Sequence, residues 1–203
     1  MSRNLAPRVR QMRALGVNLP GLSRKSIERR PYPPGQHGTS PKRRKVSPYK
    51  LRLMEKQKLR FYYGLTERQF GNTVALAGRR TGNTGDQLVT LLETRLDNVV
   101  FRAGFARTIP AARQLVGHGH IVVDGRPVDR PGFRVARGQR VAVRARSKDL
   151  DIIGTSLAEP VASPPRWLAV DAEARSVEVV GVPDFESMLI AVDLRLVIEF
   201  YAQ

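Results

Sequence analysis

The first 48 residues constrain the fold most, because they are basic, rich in proline and poor in large apolar side chains. Seven prolines lie between Pro7 and Pro48, and proline breaks helix interiors and central strands. A segment with little apolar surface to bury cannot offset the entropy cost of ordering its backbone. We therefore expect residues 1–48 to be irregular, and to become ordered against a polyanion that neutralises their charge. The alternative is a disordered, solubilising tail.

Charge is distributed unevenly along the chain. Of 203 residues, 35 are Lys or Arg and 18 are Asp or Glu, so the formal net charge is +17. Residues 1–60 carry +15, residues 61–92 carry +1, residues 93–149 carry +7 and residues 150–203 carry −6. Such a balance predicts a polyanionic partner, either a nucleic acid or an acidic membrane surface. The acidic C-terminal part is expected to avoid phosphate or to contact a basic partner.

Composition also disfavours several kinds of site. The chain contains no cysteine, which excludes disulfides and thiolate metal sites. Its three histidines occur without a local acidic cluster, so we predict neither a metal site nor a cofactor. No apolar run is long enough to span a bilayer, and the basic N-terminus lacks the apolar region of a signal peptide.

Arginine outnumbers lysine 28 to 7. The planar guanidinium group binds phosphate through two hydrogen bonds and stacks on bases, whereas the ammonium group acts as a point charge. Codon usage in a GC-rich genome is the alternative explanation for the excess, and the two explanations are compatible.

Residues 49–92 are predicted to be helical. Apolar residues recur at helical spacing over 49–63, which predicts the first helix. Thr66 and Gln69 have the spacing of a capping box and are expected to begin a second helix. A third helix is expected to begin at residues 86–92.

Residues 93–148 predict a helix–turn–helix followed by a small antiparallel sheet. The third helix is expected to continue to Gly104, because its apolar residues keep to one face. Thr108 is predicted to cap the next helix. A hairpin turn at 124–125 and the alternating pattern of 140–144 predict short strands. Beyond these, we expect a helix within 149–160, strands at 167–170 and 177–180, and a helix at 192–201.

Four segments resemble the ribosomal protein S-four family closely, and they occur in that family's order. The segments are 29–38 (RRPYPPGQHG), 53–59 (LMEKQKL), 91–102 (LLETRLDNVVFR) and 196–201 (LVIEFY). Several long motifs in one order are far more specific than a single short pattern.

The resemblance implies an α+β fold with an extended basic N-terminal segment, a helical domain and an inserted small α/β RNA-binding module. The expected divisions are 1–48 for the basic segment, 49–92 for the helical part of domain one, 93–155 for the module, and 156–203 for C-terminal strands and a helix that complete domain one and contact a neighbouring ribosomal protein.

The resemblance also implies a cytoplasmic protein of the small ribosomal subunit that is not an enzyme. Such a protein is a primary binder of 16S ribosomal RNA and nucleates assembly of the subunit body. It contacts ribosomal protein S-five, contributes to translational accuracy with S-five and S-twelve, and can repress its own mRNA. No membrane and no small-molecule substrate are expected.

Three positions depart from the family pattern. Val9 and Met12 occupy the places where some relatives carry the C-x-x-C pair of a zinc knuckle, so zinc is not expected. Gly117 stands where relatives often have a basic residue, which removes one potential phosphate contact. Gln139 follows Gly138 where an acid is common, which raises the local positive charge.

Charge, residue type and the resemblance together select the candidate residues. RNA binding is predicted for Arg3, Arg8, Arg10, Arg13, Arg24, Lys25, Arg29, Arg30, Tyr32, Gln36, His37, Lys42, Arg43, Arg44, Lys45, Tyr49, Lys50, Arg52, Lys56, Lys58, Arg95, Asn98, Arg102, Arg113, His118 and His120. Contact with the protein neighbour is predicted for Asp184, Glu186, Glu199 and Tyr201. The alternative for Lys42–Lys45 is a solvated charge run, and for Arg95 and Arg102 it is ordinary polar decoration of a helix.

Two rival functions remain open from the sequence. Some RNA-modifying enzymes carry a similar small module, but residues 150–203 are too short for a catalytic domain and show no nucleophile with a base. A free regulatory protein that binds mRNA is the second rival, and that role is compatible with a place in the ribosome.

Overall fold

The structure, a computed structural model, describes residues 6–40 and 46–202. The helices are α1 (Arg8–Leu15), α2 (Pro48–Tyr62), α3 (Glu67–Gly78), α4 (Thr84–Glu93), α5 (Leu96–Arg102), α6 (Ile109–Gly117), α7 (Asp151–Ala158) and α8 (Leu194–Tyr201). The strands are β1 (Ile121–Val123), β2 (Arg126–Pro127), β3 (Arg140–Val143), β4 (Leu168–Asp171) and β5 (Ser176–Val179). The predicted α+β class is confirmed.

The chain forms two compact units. The first unit contains the described residues up to Gly85 together with those from Leu189 onward, and the second unit is Asp86–Met188. Within the described part of the chain, no helix is long and apolar enough to cross a membrane.

The N-terminal segment is more ordered than the sequence predicted. Residues 8–15 form α1, which ends at Gly16 with a φ of 70°, the left-handed conformation that glycine adopts without strain. Met12, Leu15, Leu19 and Leu22 are all buried. The expectation of an irregular segment is therefore wrong for residues 8–15, because four apolar side chains suffice to anchor a short helix in the core of the first unit.

The helices of the first unit begin where their capping residues predict. The Ser47 hydroxyl accepts a hydrogen bond from the Lys50 amide at the start of α2, and Thr66 and Gln69 form the predicted capping box at α3. The predicted C-terminal helix is confirmed as α8, which packs chiefly against α2.

The second unit contains a five-stranded antiparallel sheet with strand order β2-β1-β3-β5-β4. Alternate residues of the strands are buried, so the sheet has one core face. The predicted strands and the helix at 149–160 are present. Thr108 caps α6 by accepting a hydrogen bond from the Ala111 amide, as predicted.

The predicted third helix is interrupted between α4 and α5. Arg95 is extended, with φ −63° and ψ 137°, and forms an isolated antiparallel bridge with Arg134. The Leu96 amide donates to the Phe133 carbonyl at 2.8 Å, and the Val135 amide donates to the Thr94 carbonyl at 2.9 Å. The continuous helix predicted to Gly104 is therefore wrong, because backbone pairing with a distant loop replaces the helical hydrogen bonds here.

Residues 156–203 are divided between the units. Strand β5 pairs with β3 through Val141 and Val177, so both C-terminal strands belong to the second unit. Residues from Leu189 onward, including α8, belong to the first unit. The structure thus differs from the expected assignment of this whole stretch to domain one.

Candidate nucleic-acid interface

Basic side chains of the first unit are concentrated before α2. Residues 6–40 contain seven Lys or Arg residues and one acid, Glu28. The exposed basic residues there are Arg8, Arg10, Arg24, Lys25, Arg29 and Arg30. Two predictions, Arg3 and the run Lys42–Lys45, lie outside the described residues. Because basic residues far outnumber the one acid, the exposed arginines form a positively charged surface that attracts phosphate.

The loop over residues 31–40 is held in shape by Arg13. Its Nε donates to the Tyr32 carbonyl at 3.0 Å, and its guanidinium group lies 4.8 Å from the centre of the Tyr32 ring. A side chain at Gly38 would overlap the Pro33 carbonyl, so this turn requires glycine. The loop leaves Gln36 and His37 exposed, while Arg13 and Tyr32 are half-buried and contact each other.

Helix α2 carries basic residues of two kinds. Tyr49 and Lys50, at its start, are exposed. Three further predicted residues are bound by acids within the unit: Arg52 by Glu199 at 3.0 Å, Lys56 by Glu67 at 2.7 Å and Lys58 by Glu55 at 2.5 Å.

Lys56 contradicts its predicted role, since it is only 4% exposed. Its ammonium group lies 4.5 Å from the centre of the Phe200 ring. A cation enclosed by a carboxylate and an aromatic ring has no surface left for RNA, so Lys56 serves the packing of α8 on α2.

Glu67 is the centre of this polar network. Burial acts to raise the pKa of Glu67, but hydrogen bonds from Lys56 and Tyr201 and the charges of Lys56 and Arg60 outweigh it, and the pKa lies below its usual 4.5. Burial, followed by the hydrogen bond to Glu67, raises the pKa of Tyr201. Two residues predicted to face a protein neighbour, Glu199 and Tyr201, thus have partners inside the unit, Arg52 and Glu67.

Asn98 and Arg102 are buried in the second unit. Asn98 is 0% exposed. Its side-chain nitrogen Nδ2 donates hydrogen bonds to the Glu93 backbone carbonyl and to a Glu93 carboxylate oxygen, each at 2.9 Å. Arg102 is 5% exposed and donates to the Ser187 carbonyl. The predicted RNA contacts of both residues are contradicted by this burial, since a polar group enclosed by the protein must be satisfied there.

Arg95 and Arg113 share one carboxylate. Arg95 binds Asp97 through two hydrogen bonds, Nε to Oδ1 at 3.1 Å and Nη2 to Oδ2 at 2.8 Å. Arg113 Nη1 donates to the same Oδ2 at 3.2 Å. The Asp97 side chain is 1% exposed, whereas those of Arg95 and Arg113 are 11% and 27% exposed. The Asp97 carboxylate is therefore buried, while both arginine side chains that bind it are partly exposed at the surface.

Six exposed arginines within residues 120–149 were missed by the sequence-based prediction. They are Arg126, Arg130, Arg134, Arg137, Arg140 and Arg146. The signal was present, because 93–149 is a basic region, but the prediction favoured the helices over the hairpin and its neighbouring loops.

Two family models divide the chain between them. The Ribosomal protein S4/S9 N-terminal domain matches residues 3–93, and the S4 domain matches residues 94–141. Their boundary coincides with the interruption between α4 and α5. Both names denote the S-four family that the sequence resembles.

Full-length relatives agree with these matches. Small ribosomal subunit protein uS4 from Methylobacillus flagellatus is 48% identical over 202 residues, covering 100% of this chain and 98% of the relative. The protein of the same name from Synechocystis is 50% identical over 204 residues, covering 100% and 99%. The one from Geobacillus is 45% identical over 203 residues and covers both chains completely. This chain belongs to the uS4 family.

As a uS4 family member the chain is a ribosomal, RNA-binding protein and not an enzyme, as the sequence predicted.

Within the described residues, no group of three or more His, Cys, Asp or Glu could hold a metal ion. Met12 is a core residue whose sulfur accepts a hydrogen bond from the Leu19 backbone amide at 3.4 Å.

The two histidines of the α6–β1 turn lie beside the basic hairpin. His118 is exposed, and His120 is half-buried with its Nδ1 2.9 Å from the Ser147 hydroxyl. Their ring centres are 6.1 Å apart. The arrangement leaves His118 available to an RNA, while His120 links the turn to the segment after β3.

Asp184 and Glu186 lie on an exposed turn of the second unit. The Ser187 backbone amide donates a hydrogen bond to the Asp184 carboxylate at 2.8 Å. The Arg102 guanidinium group donates a hydrogen bond to the Ser187 carbonyl. An open cavity of about 520 Å³ lies beside the turn, lined by Arg102, Pro164, Pro165, Arg166, Trp167, Gly181, Val182, Asp184, Glu186 and Ser187. Both predicted acids are thus exposed, whereas Glu199 and Tyr201 are half-buried.

Proposed function

We propose that this chain is a structural protein of the small ribosomal subunit in the cytoplasm, and that it binds 16S ribosomal RNA through basic surfaces on both of its units. In the first unit the surface comprises the exposed residues before α2. In the second unit it comprises the arginines around the β1–β2 hairpin together with Arg95 and Arg113.

In the first unit, the observation that carries the proposal is the separation of exposed from paired basic residues. Arg29 and Arg30 are exposed and form none of the ion pairs among the described residues, whereas Arg52 and Lys58 are bound by acids. Residues 6–40 hold seven basic residues against the single acid Glu28, so this part of the first unit keeps a net positive charge. Structured RNA is recognised largely through its phosphates and 2′-hydroxyl groups, which such a surface fits.

We further propose that the chain is a primary binder that nucleates assembly of the body of the small subunit. The test is binding of the purified chain to naked 16S RNA, followed by ordered reconstitution. We expect saturable binding without any other protein, and later body proteins should fail to bind when this chain is omitted. Binding that requires another protein first would refute the primary role.

The accessible acids Asp184 and Glu186 support a contact with ribosomal protein S-five, and through it a part in translational accuracy with S-twelve. An acidic turn within a strongly basic protein repels phosphate and attracts a basic protein surface. Cross-linking from a residue of this turn in assembled subunits tests the contact. Cross-links to RNA alone would contradict it.

Repression of its own mRNA is a second role for the same surface. A folded mRNA leader presents the same phosphate groups as ribosomal RNA, so the two RNAs should compete. Competition between 16S RNA and the transcript that encodes this chain measures this directly. A chain absent from subunits washed at high salt would instead be a free regulatory protein.

A further inference from the structure

Asp97 joins Arg95 and Arg113, which approach its carboxylate from separate elements of the second unit. Arg95 immediately precedes α5, and Arg113 lies on α6. Both guanidinium groups hydrogen-bond to Asp97 Oδ2, at 2.8 Å and 3.2 Å. The orientation of the Asp97 carboxylate is itself restrained, because its Oδ1 accepts a hydrogen bond from the Asn98 backbone amide at 3.0 Å.

The charges at this cluster do not cancel. Two guanidinium groups face a single carboxylate, so the local charge is positive. Arg134 lies opposite Arg95 in the antiparallel bridge, and directly opposed residues of a bridge place their side chains on one face. The negative charge is buried and the positive charges reach the surface, which favours an anion at that surface.

The geometry also limits the freedom of the arginines. Arg95 donates hydrogen bonds to Asp97 through Nε and Nη2. Its Nη1 lies next to Gly132, so that a Cβ atom at position 132 would be 3.3 Å from Nη1. An arginine fixed in this way has already lost the rotamer entropy that a mobile surface arginine would lose on binding. It therefore presents its remaining N–H groups in a set direction.

We infer that Asp97 is a positioning residue for RNA binding: it holds Arg95 and Arg113 as a preorganised pair that binds backbone phosphate. The inference rests on the proposed function, since it assigns a structural cause to part of that RNA surface. Asp97 itself touches no phosphate.

The sign of one substitution distinguishes this role from simple electrostatics. Replacing an acid near a phosphate-binding surface by its amide removes repulsion, so net charge alone predicts tighter RNA binding. Loss of positioning predicts the reverse, because the amide cannot accept both guanidinium groups with the strength of a carboxylate.

The experiment measures binding of transcribed 16S RNA to the full chain over a range of salt concentrations. Asp97→Asn should weaken binding by about tenfold and lower the magnitude of the salt slope by roughly one to two. The control Asp129→Asn removes an exposed acid of the same unit and should not weaken binding. Unchanged or tighter binding by Asp97→Asn would overturn the inference.

A second pair of variants keeps the test valid if Asp97→Asn impairs folding. Arg113→Gln removes one of the held arginines and should weaken binding, whereas Arg166→Gln, with the same charge change at another exposed site of the second unit, should not. Equal effects of Arg113→Gln and Arg166→Gln would refute the positioning of Arg113. A wild-type chain that fails to bind 16S RNA would instead refute the proposed function.

Discussion

Glu67 joins α2, α3 and α8, and the variant Glu67→Gln measures how much this junction stabilises the protein. Its carboxylate accepts hydrogen bonds from Lys56 at 2.7 Å, Tyr201 at 2.8 Å and Arg60 at 3.3 Å. The amide keeps the shape but removes the negative charge. Lys56, whose side chain is 5% exposed, then keeps a positive charge without its counter-ion.

The cost lies between two limits. Removing one member of a fully buried ion pair costs about 3–5 kcal/mol, whereas exposed pairs contribute about 0–1 kcal/mol. The Glu67 side chain is 47% exposed, so solvent screens its half of the pair and we expect a loss of about 1–2 kcal/mol. For a chain of this length, that lowers the melting temperature by roughly 2–8 °C.

The pH dependence of the difference has a defined sign. Because the pKa of Glu67 is lowered in the folded protein, its contribution is complete above the usual 4.5 and is lost as pH falls through the folded value. The gap between wild type and Glu67→Gln should therefore close in acid. Thermal unfolding followed by circular dichroism from neutral pH downward measures it.

Two controls decide whether the reasoning is correct. Glu173→Gln makes the same change at an exposed position and should alter stability by no more than about 0.5 kcal/mol. The double variant Lys56→Met with Glu67→Gln removes the buried charge as well and should be more stable than Glu67→Gln alone. Equal melting temperatures for Glu67→Gln and Glu173→Gln, or a gap that persists in acid, would refute the account.

Three further predictions concern the second unit. Asn98→Ala removes one hydrogen-bond donor from the buried Glu93 carboxylate and should destabilise the fold by about 1–3 kcal/mol in denaturant unfolding. The RNA affinity of the folded protein should stay unchanged; a stable variant with weaker RNA binding would return Asn98 to the candidate interface. Thr108→Ala removes the side-chain cap of α6 and should lower the free energy of unfolding by about 1 kcal/mol in the same assay. An unchanged stability would show that the Thr108 cap does not stabilise α6. Asp184→Asn with Glu186→Gln should weaken a pull-down of ribosomal protein S-five without weakening RNA binding, and the opposite pattern would place this turn on RNA.

Local signals in the sequence predicted most of the fold. The caps at Thr66 and Thr108 depend on residues within one helical turn, so they could be identified without tertiary information. The break at Arg95 could not, because it depends on hydrogen bonds to residues 133–135. The buried N-terminal residues Met12, Leu15, Leu19 and Leu22 were not predicted as core, because the many prolines and few large apolar side chains of this segment favoured an irregular structure.

The candidate interface was predicted less completely, because charge type does not reveal charge partners. Lys56 lies off the main apolar stripe of α2, yet α8 covers that side of the helix with Phe200 and Tyr201. Arg95 and Asp97 are two residues apart, a spacing that does not bring side chains together on a helix. They meet because Arg95 is extended, and only the tertiary pairing of the chain reveals that.

The most direct test of the central claim compares two variants with the same reduction in positive charge. Arg29→Gln with Arg30→Gln removes exposed charges, and Arg52→Gln with Lys58→Gln removes charges that are paired with acids. The measurement is the dependence of 16S RNA affinity on salt, whose slope falls by about 0.9 for each duplex phosphate that the protein no longer neutralises. We predict that the exposed pair lowers the slope by about 2 and that the paired residues leave it unchanged. Equal changes in both variants would mean that binding follows net charge alone, and would contradict an interface built from the exposed arginines.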